Sequence, residues 1–287
     1  MFFDSHVHSA ASPDSDMKAE KAVAAAKKPG LGVVFTEHVD FGALGEYVKY
    51  SDPHATDIVR GMGDFVCDFE MYPAEYRRLR GDNVLLGLEF GLTRAFAGLN
   101  AKIVAEGDYD FIIGSVHSVD GLELYKASNK HEDFMDTQYA KNLHDSRGVD
   151  DCIARYLEYS REMVEISTYF DSFGHIDYVA RYAPLVGEKF MYDRFAAQFD
   201  AILKLLADRE IALEINTSRF GAENGAERAM GEICGHFARL GGRYCTVGSD
   251  AHVVSKIGHC YDAARLVAAE AGLKIVHFRE RKAILSE

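Results

Sequence analysis

Apolar runs of strand length alternate with helix-like patterns along the chain, and this alternation restricts the fold more than any other feature. Runs typical of buried strands lie at 2–5, 32–36, 84–88, 111–116, 172–174, 212–215 and 244–247. Helical patterns lie at 18–28, 74–80, 94–106, 151–169, 194–208, 226–240 and 261–271. Continuous apolar strands separated by amphipathic helices predict an α/β fold with a buried parallel sheet. Seven such units favour a barrel related to the (β/α)8 design.

Two long segments, 39–68 and 120–150, interrupt this alternation. The first is polar and aromatic with several glycines, and the second is highly charged with little apolar periodicity. Both follow the C-terminal end of a predicted strand, which is the active face of such barrels. Long loops in compact domains are commonly functional, so we expect these two segments to cover a substrate.

Composition excludes several classes of protein. The 287 residues are 48% hydrophobic, which is enough for a large core, and we expect one domain spanning 1–287. No run approaches the ~20 apolar residues of a membrane span, and the N-terminus does not resemble a signal peptide. Five cysteines without a Cys-x-x-Cys pair indicate reduced thiols, and therefore a cytoplasmic protein. The net charge of −13 argues against nucleic acid or a membrane as the partner.

Two pairs of potential metal ligands lie at opposite ends of the chain. His6 and His8 follow the first predicted strand, and Asp250 and His252 follow the last. Residues two apart on a strand point to the same side, so both members of each pair face one way. Imidazoles that converge at a strand end are typical of a transition-metal site.

The same pattern recurs at the end of every predicted strand, and a parallel barrel would bring all these ends to one face. The strand-end residues are His6, His8, Glu37, His38, Glu89, His117, His175, Glu214, Asn216, Asp250 and His252. So many imidazoles and carboxylates suit two or three divalent ions, with a carboxylate such as Glu89 bridging. Nitrogen and oxygen ligands without cysteine favour Zn²⁺, Mn²⁺ or Fe²⁺ over Ca²⁺ and Mg²⁺. A polynuclear site with open positions supports hydrolysis.

Six motifs in this order resemble the PHP (polymerase and histidinol phosphatase) superfamily. They are Asp4-Ser-His6-Val-His8-Ser, Thr36-Glu37-His38, Gly87-Leu-Glu89, Gly114-Ser-Val-His117, Gly174-His175-Ile-Asp177 and Gly248-Ser-Asp250-Ala-His252. Within the superfamily the chain is most similar to the stand-alone histidinol-phosphatases. The resemblance implies a distorted (β/α)7 TIM-like barrel with a trinuclear metal centre at the C-terminal ends of the strands.

The resemblance also implies which residues bind each ion. The three implied ligand sets are His6, His8, Glu89 and Asp250; Glu89, His117 and His175; and His38, His252 and Asp14. Asp16 is close enough along the chain to compete with Asp14 for the last position.

The implied reaction is hydrolysis of a phosphomonoester by a metal-bridging hydroxide, with Glu89 and His117 at the catalytic centre. The implied substrate is L-histidinol phosphate, which would place the chain in histidine biosynthesis. Glu37 either orients a metal ligand or protonates the leaving group, and a metal-bound water is the alternative acid.

Three further residues follow strand ends and could bind the phosphate. Arg181 lies six residues past His175, and Arg219 lies three past Asn216. A guanidinium suits a phosphoryl group, although a surface ion pair would explain either arginine equally well. Ser118 could donate to a phosphate oxygen or could cap a turn.

Other functions remain open on sequence grounds. A PHP phosphoesterase acting on a nucleotide or on phosphotyrosine is the main alternative, and a non-catalytic metal-binding scaffold is another. A metal-dependent amidohydrolase is weaker, because no strand end carries the bridging lysine which that architecture usually has.

Overall fold

The computed structural model describes residues 1–26, 30–41, 67, 71–119, 122–123, 148–181, 191–222 and 224–286. A nine-stranded sheet runs through these residues in the order β1-β2-β3-β4-β7-β8-β9-β10-β11. Its strands are β1 (Phe2–Val7), β2 (Leu31–Val39), β3 (Val84–Gly91), β4 (Phe111–Ser115), β7 (Ser172–Phe173), β8 (Ala212–Asn216), β9 (Tyr244–Gly248), β10 (Lys274–Arg279) and β11 (Lys282–Leu285). Every neighbouring pair is parallel except β10 and β11, which are antiparallel. A small hairpin, β5 (Ser118–Val119) and β6 (Leu122–Glu123), stands apart.

Helices fill most of the connections between the strands. They are α1 (Ala19–Ala26), α2 (Met71–Tyr76), α3 (Ala97–Glu106), α4 (Val149–Ile166), α5 (Ala196–Asp208), α6 (Ala226–Arg239) and α7 (Tyr261–Ala271). On α4 the buried residues include Cys152, Ile153, Tyr156 and Leu157, a spacing that makes one apolar face. Along the chain α4 packs on α5 and α6 packs on α7. None of the helices in the described part of the chain combines the length and apolarity needed to cross a bilayer.

The two faces of the sheet carry two separate apolar cores. Val33 and Phe35 belong to the larger core, which includes the helices, whereas Val34 belongs to a smaller one. The smaller core consists of Phe3, Val34, Leu85, Phe111, Ile113, Ala212, Val276 and Phe278, mostly from the first halves of their strands. Because side chains alternate between faces, every second later residue of these strands lies on the face that carries the smaller core, and the apolar residues between them belong to the larger core.

The C-terminal hairpin completes the smaller core. Val276 and Phe278 of β10 join it, and the Phe278 ring stacks on Phe111 with 5.2 Å between centroids. The apolar pattern of the sequence predicts no strand in this segment, so β10 and β11 are an addition to the predicted fold.

A bulge in β1 aligns His6 and His8 with the smaller core face. Asp4 lies opposite Val33 and Val7 lies opposite Phe35. β1 therefore advances by three residues where β2 advances by two, which means that β1 contains one extra residue. Without this extra residue, Phe3 and His6 would point to opposite faces, because their separation is odd. The bulge therefore lets one strand contribute both to the apolar core and to the polar strand ends.

A parallel bridge between Val7 and Ala251 joins β1 to the segment that follows β9. The Ala251 carbonyl accepts a hydrogen bond from the His8 amide at 3.0 Å. The mixed α/β fold with a mainly parallel sheet is thus confirmed, while complete closure into a barrel stays a prediction. The predicted substrate-covering loops, 39–68 and 120–150, lie largely outside the described residues.

Gly248 is required where β1 and β9 approach each other. A Cβ at this position would lie 2.4 Å from the His6 Cβ and 2.5 Å from Glu214 Oε1. We expect Gly248→Ala to lower the free energy of unfolding by about 1–3 kcal/mol, because overpacking displaces these neighbours. Equilibrium urea denaturation measures this difference.

Gly231→Ala is the matched control, since Gly231 lies within α6 and an added Cβ meets no described atom within 4 Å. Replacing a mid-helix glycine by alanine stabilises by about 0.5–1 kcal/mol. Equal stabilities of the two variants would contradict the close approach of β1 and β9.

Candidate metal centre

The carboxylate of Glu89 lies at the centre of the polar strand ends. Glu89 belongs to β3, on the same face as Leu85, and is fully buried. Its Oε2 lies 3.2 Å from His6 Nε2, 3.5 Å from His8 Nε2 and 3.0 Å from His38 Nδ1. Its Oε1 lies 3.3 Å from His117 Nε2 and 2.8 Å from His175 Nε2. One carboxylate therefore contacts five of the six imidazoles that are predicted to bind metal, all except His252.

The ligand atoms around Glu89 form three overlapping groups. In each group the candidate ligand atoms all lie within 4.8 Å of one another. The groups are His6, His8 and Asp250; His8, His38 and His252; and Glu89, His117 and His175. Eight of the nine predicted ligands thus belong to groups whose three members lie close enough together to bind the same ion.

The ninth predicted ligand, Asp14, lies at the edge of the cluster. Its Oδ2 is 3.3 Å from His38 Nε2 and 3.0 Å from His252 Nε2. Asp14 and the competing Asp16 are both exposed, so the contacts of Asp14 with the two imidazoles distinguish it, and burial does not. The position of Asp14 favours it over Asp16 as the carboxylate of this loop that could join a metal site.

Unsatisfied polar atoms at the centre fit a metal ion. His6 Nε2, His8 Nε2 and Glu89 Oε2 are buried and make no hydrogen bond with any described residue. Buried polar atoms in folded proteins are nearly always partnered. Imidazole nitrogens and carboxylate oxygens that face each other in this way are the donor set of Zn²⁺, Mn²⁺ or Fe²⁺.

Two carboxylates outside the cluster orient its imidazoles. Glu214 Oε1 lies 2.6 Å from His6 Nδ1, and its Oε2 accepts a hydrogen bond from the His175 amide at 2.7 Å. Asp40 Oδ2 lies 2.7 Å from His117 Nδ1. These contacts turn the Nε2 atoms of His6 and His117 toward Glu89, as carboxylates commonly do for imidazoles that bind metal.

Glu214 and Asp40 are not among the metal ligands or catalytic residues predicted from the sequence. Glu214 is one of the strand-end residues, and Asp40 lies two residues past His38, which is the spacing of one strand face. Both signals were present, but neither shows which side chain the carboxylate contacts.

The electrostatics of the cluster favour a cation. Burial disfavours a charged imidazole, yet the nearby carboxylates outweigh it and hold the pKa of His6 well above its usual value. The pKa of His117 is raised to about 10 in the same way, by Glu89 and Asp40 acting against burial. Burial and neighbouring imidazoles lower the pKa of His8 to about 3. The carboxylates that favour protonated imidazoles would equally favour a divalent cation, whose binding releases those protons.

Glu37 points away from the cluster, because adjacent strand residues face opposite sides of the sheet and His38 faces inward. Its carboxylate accepts hydrogen bonds from the Ser9 amide at 3.1 Å and the Ser12 hydroxyl at 2.5 Å. Ser12 Oγ in turn lies 3.3 Å from His8 Nδ1 and accepts from the His38 amide at 3.0 Å. Burial raises the pKa of Glu37. Of its two predicted roles, this position supports orientation of the ligands rather than protonation of a leaving group.

The three predicted phosphate contacts have different surroundings. Arg181 Nη2 lies 2.8 Å from Asp250 Oδ2, at the edge of the cluster. Arg219 Nη1 lies 2.9 Å from Asp177 Oδ2. Ser118 is buried, and its hydroxyl has no hydrogen-bond partner among the described residues. Both arginines line a pocket of about 630 Å³, together with Lys256, His259, Ser218, Phe220, Gly221, Ala222 and Asn224.

Several known proteins are similar to this chain. A relative from Clostridium acetobutylicum, named probable histidinol-phosphatase, is 33% identical over 281 residues, which cover 98% of both chains. The histidinol-phosphatase of Lactococcus lactis is 29% identical over 275 residues, covering 94% of this chain and 91% of the relative.

Two solved structures share the fold. The crystal structure of the Lactococcus lactis histidinol phosphate phosphatase, complexed with zinc, L-histidinol and phosphate, superposes with a TM-score of 0.81 at 28% identity. The superposition covers 99% of this chain and 98% of that one. A protein from Listeria monocytogenes superposes with a TM-score of 0.66 at 19% identity, and the superposition covers 91% of this chain and 98% of that one. At this level of identity the similarity supports the fold and nothing further.

A family model described as a PHP domain matches residues 4–218. This match covers most of the chain and includes the first five of the six motifs. Together with the 33% identical relative of nearly equal length, it shows that the chain belongs to the PHP family.

Proposed function

We propose that this protein is a metal-dependent phosphomonoesterase that hydrolyses L-histidinol phosphate to L-histidinol and phosphate. The observation that carries the reaction type is the buried Glu89 carboxylate in contact with five imidazoles. The substrate is supported by the relatives named histidinol-phosphatase. It is also supported by the Lactococcus lactis structure, which contains zinc, L-histidinol and phosphate. L-Histidinol and phosphate are the two products of the proposed reaction.

The cluster would hold up to three ions, one at each group of candidate ligands. In this proposal the ligands are His6, His8, Glu89 and Asp250 for one ion, Glu89, His117 and His175 for another, and His38, His252 and Asp14 for a third. Bound Zn²⁺, Mn²⁺ or Fe²⁺ would supply a water of lowered pKa as the nucleophile and would neutralise the phosphoryl oxygens.

The protein's own residues would bind and orient the substrate around this centre. Arg181, beside Asp250, lines the pocket next to the cluster with Arg219 and Lys256. A pocket with three basic side chains suits a phosphate group, and a guanidinium offers two donors to its oxygens. Glu214, Asp40 and the Glu37–Ser12 pair would keep the imidazoles in the orientation that binds metal.

Steady-state phosphate release tests the proposed substrate. We expect the metal-loaded protein to have a far higher kcat/KM for L-histidinol phosphate than for AMP, a phosphotyrosine peptide or p-nitrophenyl phosphate. His117→Ala should abolish turnover, because His117 contacts Glu89 within the centre. His236→Ala is the matched control, since His236 stacks on Tyr192 away from the cluster and its loss should leave the rate intact.

Comparable slow rates on all four esters would leave a metal phosphatase of another specificity. If none of the four esters is hydrolysed while metal is demonstrably bound, this result would contradict the enzymatic function and favour the scaffold alternative.

Metal removal should reduce both activity and stability. A ligand that binds only the folded state stabilises it by about 2.7 kcal/mol when its free concentration is 100-fold above Kd. We therefore expect a chelator to lower the Tm and abolish phosphate release, and Zn²⁺ or Mn²⁺ to restore both. Differential scanning calorimetry with and without metal measures the shift.

A Glu89→Gln variant whose Tm responds to metal as strongly as the wild type would contradict the central position of Glu89.

Glu214→Gln tests the orientation of the imidazoles. The amide keeps the shape of the carboxylate but lacks its charge, so the pairing with His6 weakens. Loss of such an orienting carboxylate commonly costs about 10- to 100-fold in metal affinity. Competition with a fluorescent chelator measures the affinity, and Glu165→Gln on the exposed side of α4 serves as the control. Identical metal affinities of Glu214→Gln and the wild type would show that His6 needs no such partner.

A further inference from the structure

The carboxylate of Asp4 is buried but takes no part in the Glu89 cluster. Asp4 lies in β1 and is 1% exposed. Its Oδ1 accepts a hydrogen bond from the Ser249 amide at 2.8 Å. Its Oδ2 accepts from the Ser249 hydroxyl at 2.6 Å and from the Gly258 amide at 2.7 Å. One side chain of the first strand therefore contacts both ends of the segment 249–258, which lies between β9 and α7.

The segment 249–258 carries two candidate metal ligands, Asp250 and His252. Asp250 has a φ of 56°, a left-handed conformation that a non-glycine residue keeps only when its surroundings impose it. Ala251 and Ile257 of the segment are buried, whereas Val253 is 54% exposed and Val254 is 38% exposed. Hydrogen bonds therefore contribute to its shape beside apolar burial, for example the bond from the His8 amide to the Ala251 carbonyl.

We propose that Asp4 is a positioning residue that sets the segment 249–258 and thereby places Asp250 and His252 for metal binding. Asp250 belongs to the ligand group of His6 and His8, and His252 belongs to that of His8 and His38. The third group, Glu89, His117 and His175, contains no residue of the segment. Asp4 therefore acts on two of the three groups and leaves the third unaffected. This inference rests on the metal centre of the proposed function.

Asp4→Asn tests the proposal with a minimal change of shape. An amide has only one acceptor oxygen, so its NH2 group must face either the Ser249 amide or the Gly258 amide, and two donors then oppose each other. We expect the affinity for the ions bound by Asp250 and His252 to fall about 10- to 100-fold. The ion at Glu89, His117 and His175 should remain bound. Metal content per chain, measured by mass spectrometry after dialysis against graded chelator, resolves the two classes.

Asp110→Asn is the matched control. Asp110 is equally buried, lies at the opposite ends of the strands, and accepts hydrogen bonds from the Leu86 and Glu280 amides at 3.0 and 3.1 Å. Its loss should lower the Tm without selective loss of metal. Ser249→Ala removes only the hydroxyl bond to Asp4 and should give a smaller loss of the same ions. It keeps the test decisive if Asp4→Asn fails to fold.

The outcomes separate this inference from the proposed function. Selective loss of the Asp250 and His252 ions in Asp4→Asn, or in Ser249→Ala, supports the positioning role. Unchanged metal content in these variants, or equal loss in Asp110→Asn, would overturn it while leaving the metal centre intact. A wild-type protein that binds no metal would overturn the metal centre itself, and the positioning role with it.

Discussion

A single buried carboxylate, that of Glu89, determines how the strand ends are arranged. Burying an ionised carboxylate is unfavourable unless cations or hydrogen-bond donors surround it. Around Glu89 five imidazoles from several parallel strands supply that environment. Burial opposes ionisation, but His6, His117 and His38 outweigh it and hold the pKa of Glu89 well below its usual value. The sheet must therefore bring these strand ends together, and a divalent cation would satisfy the same imidazoles and carboxylate.

The alternation of side chains along each strand separates stability from chemistry. On β3, Leu85 packs in the smaller core and Glu89 reaches the cluster from the same face. On β2, Val34 and His38 are related in the same way, whereas Glu37 is turned toward Ser9 and Ser12. β2 and β3 thus begin in an apolar layer and end in a polar one, on the same face of the sheet.

Much of this arrangement could be predicted from the sequence. The seven apolar runs correspond to seven of the eight parallel strands, all except β10, and the nine predicted ligands lie together. The partners of these ligands could not be predicted in the same way. Glu214 and His6 are in contact although 208 positions separate them, and Asp4 contacts Gly258 across 254 positions. Periodicity indicates the face of a strand, but it does not indicate which distant side chain meets it.

The α/β class, seven of the parallel strands and the donor types at their ends follow from local apolar periodicity and side-chain chemistry, and are therefore readable in the sequence. The bulge in β1, the part of β10 and β11 in the smaller core and the orientation of Glu37 away from the cluster emerge only in the folded chain. So do the pairings of Arg181 with Asp250 and of Arg219 with Asp177. Strand register and the contacts of buried charges depend on packing between segments far apart in the chain, which no local pattern records.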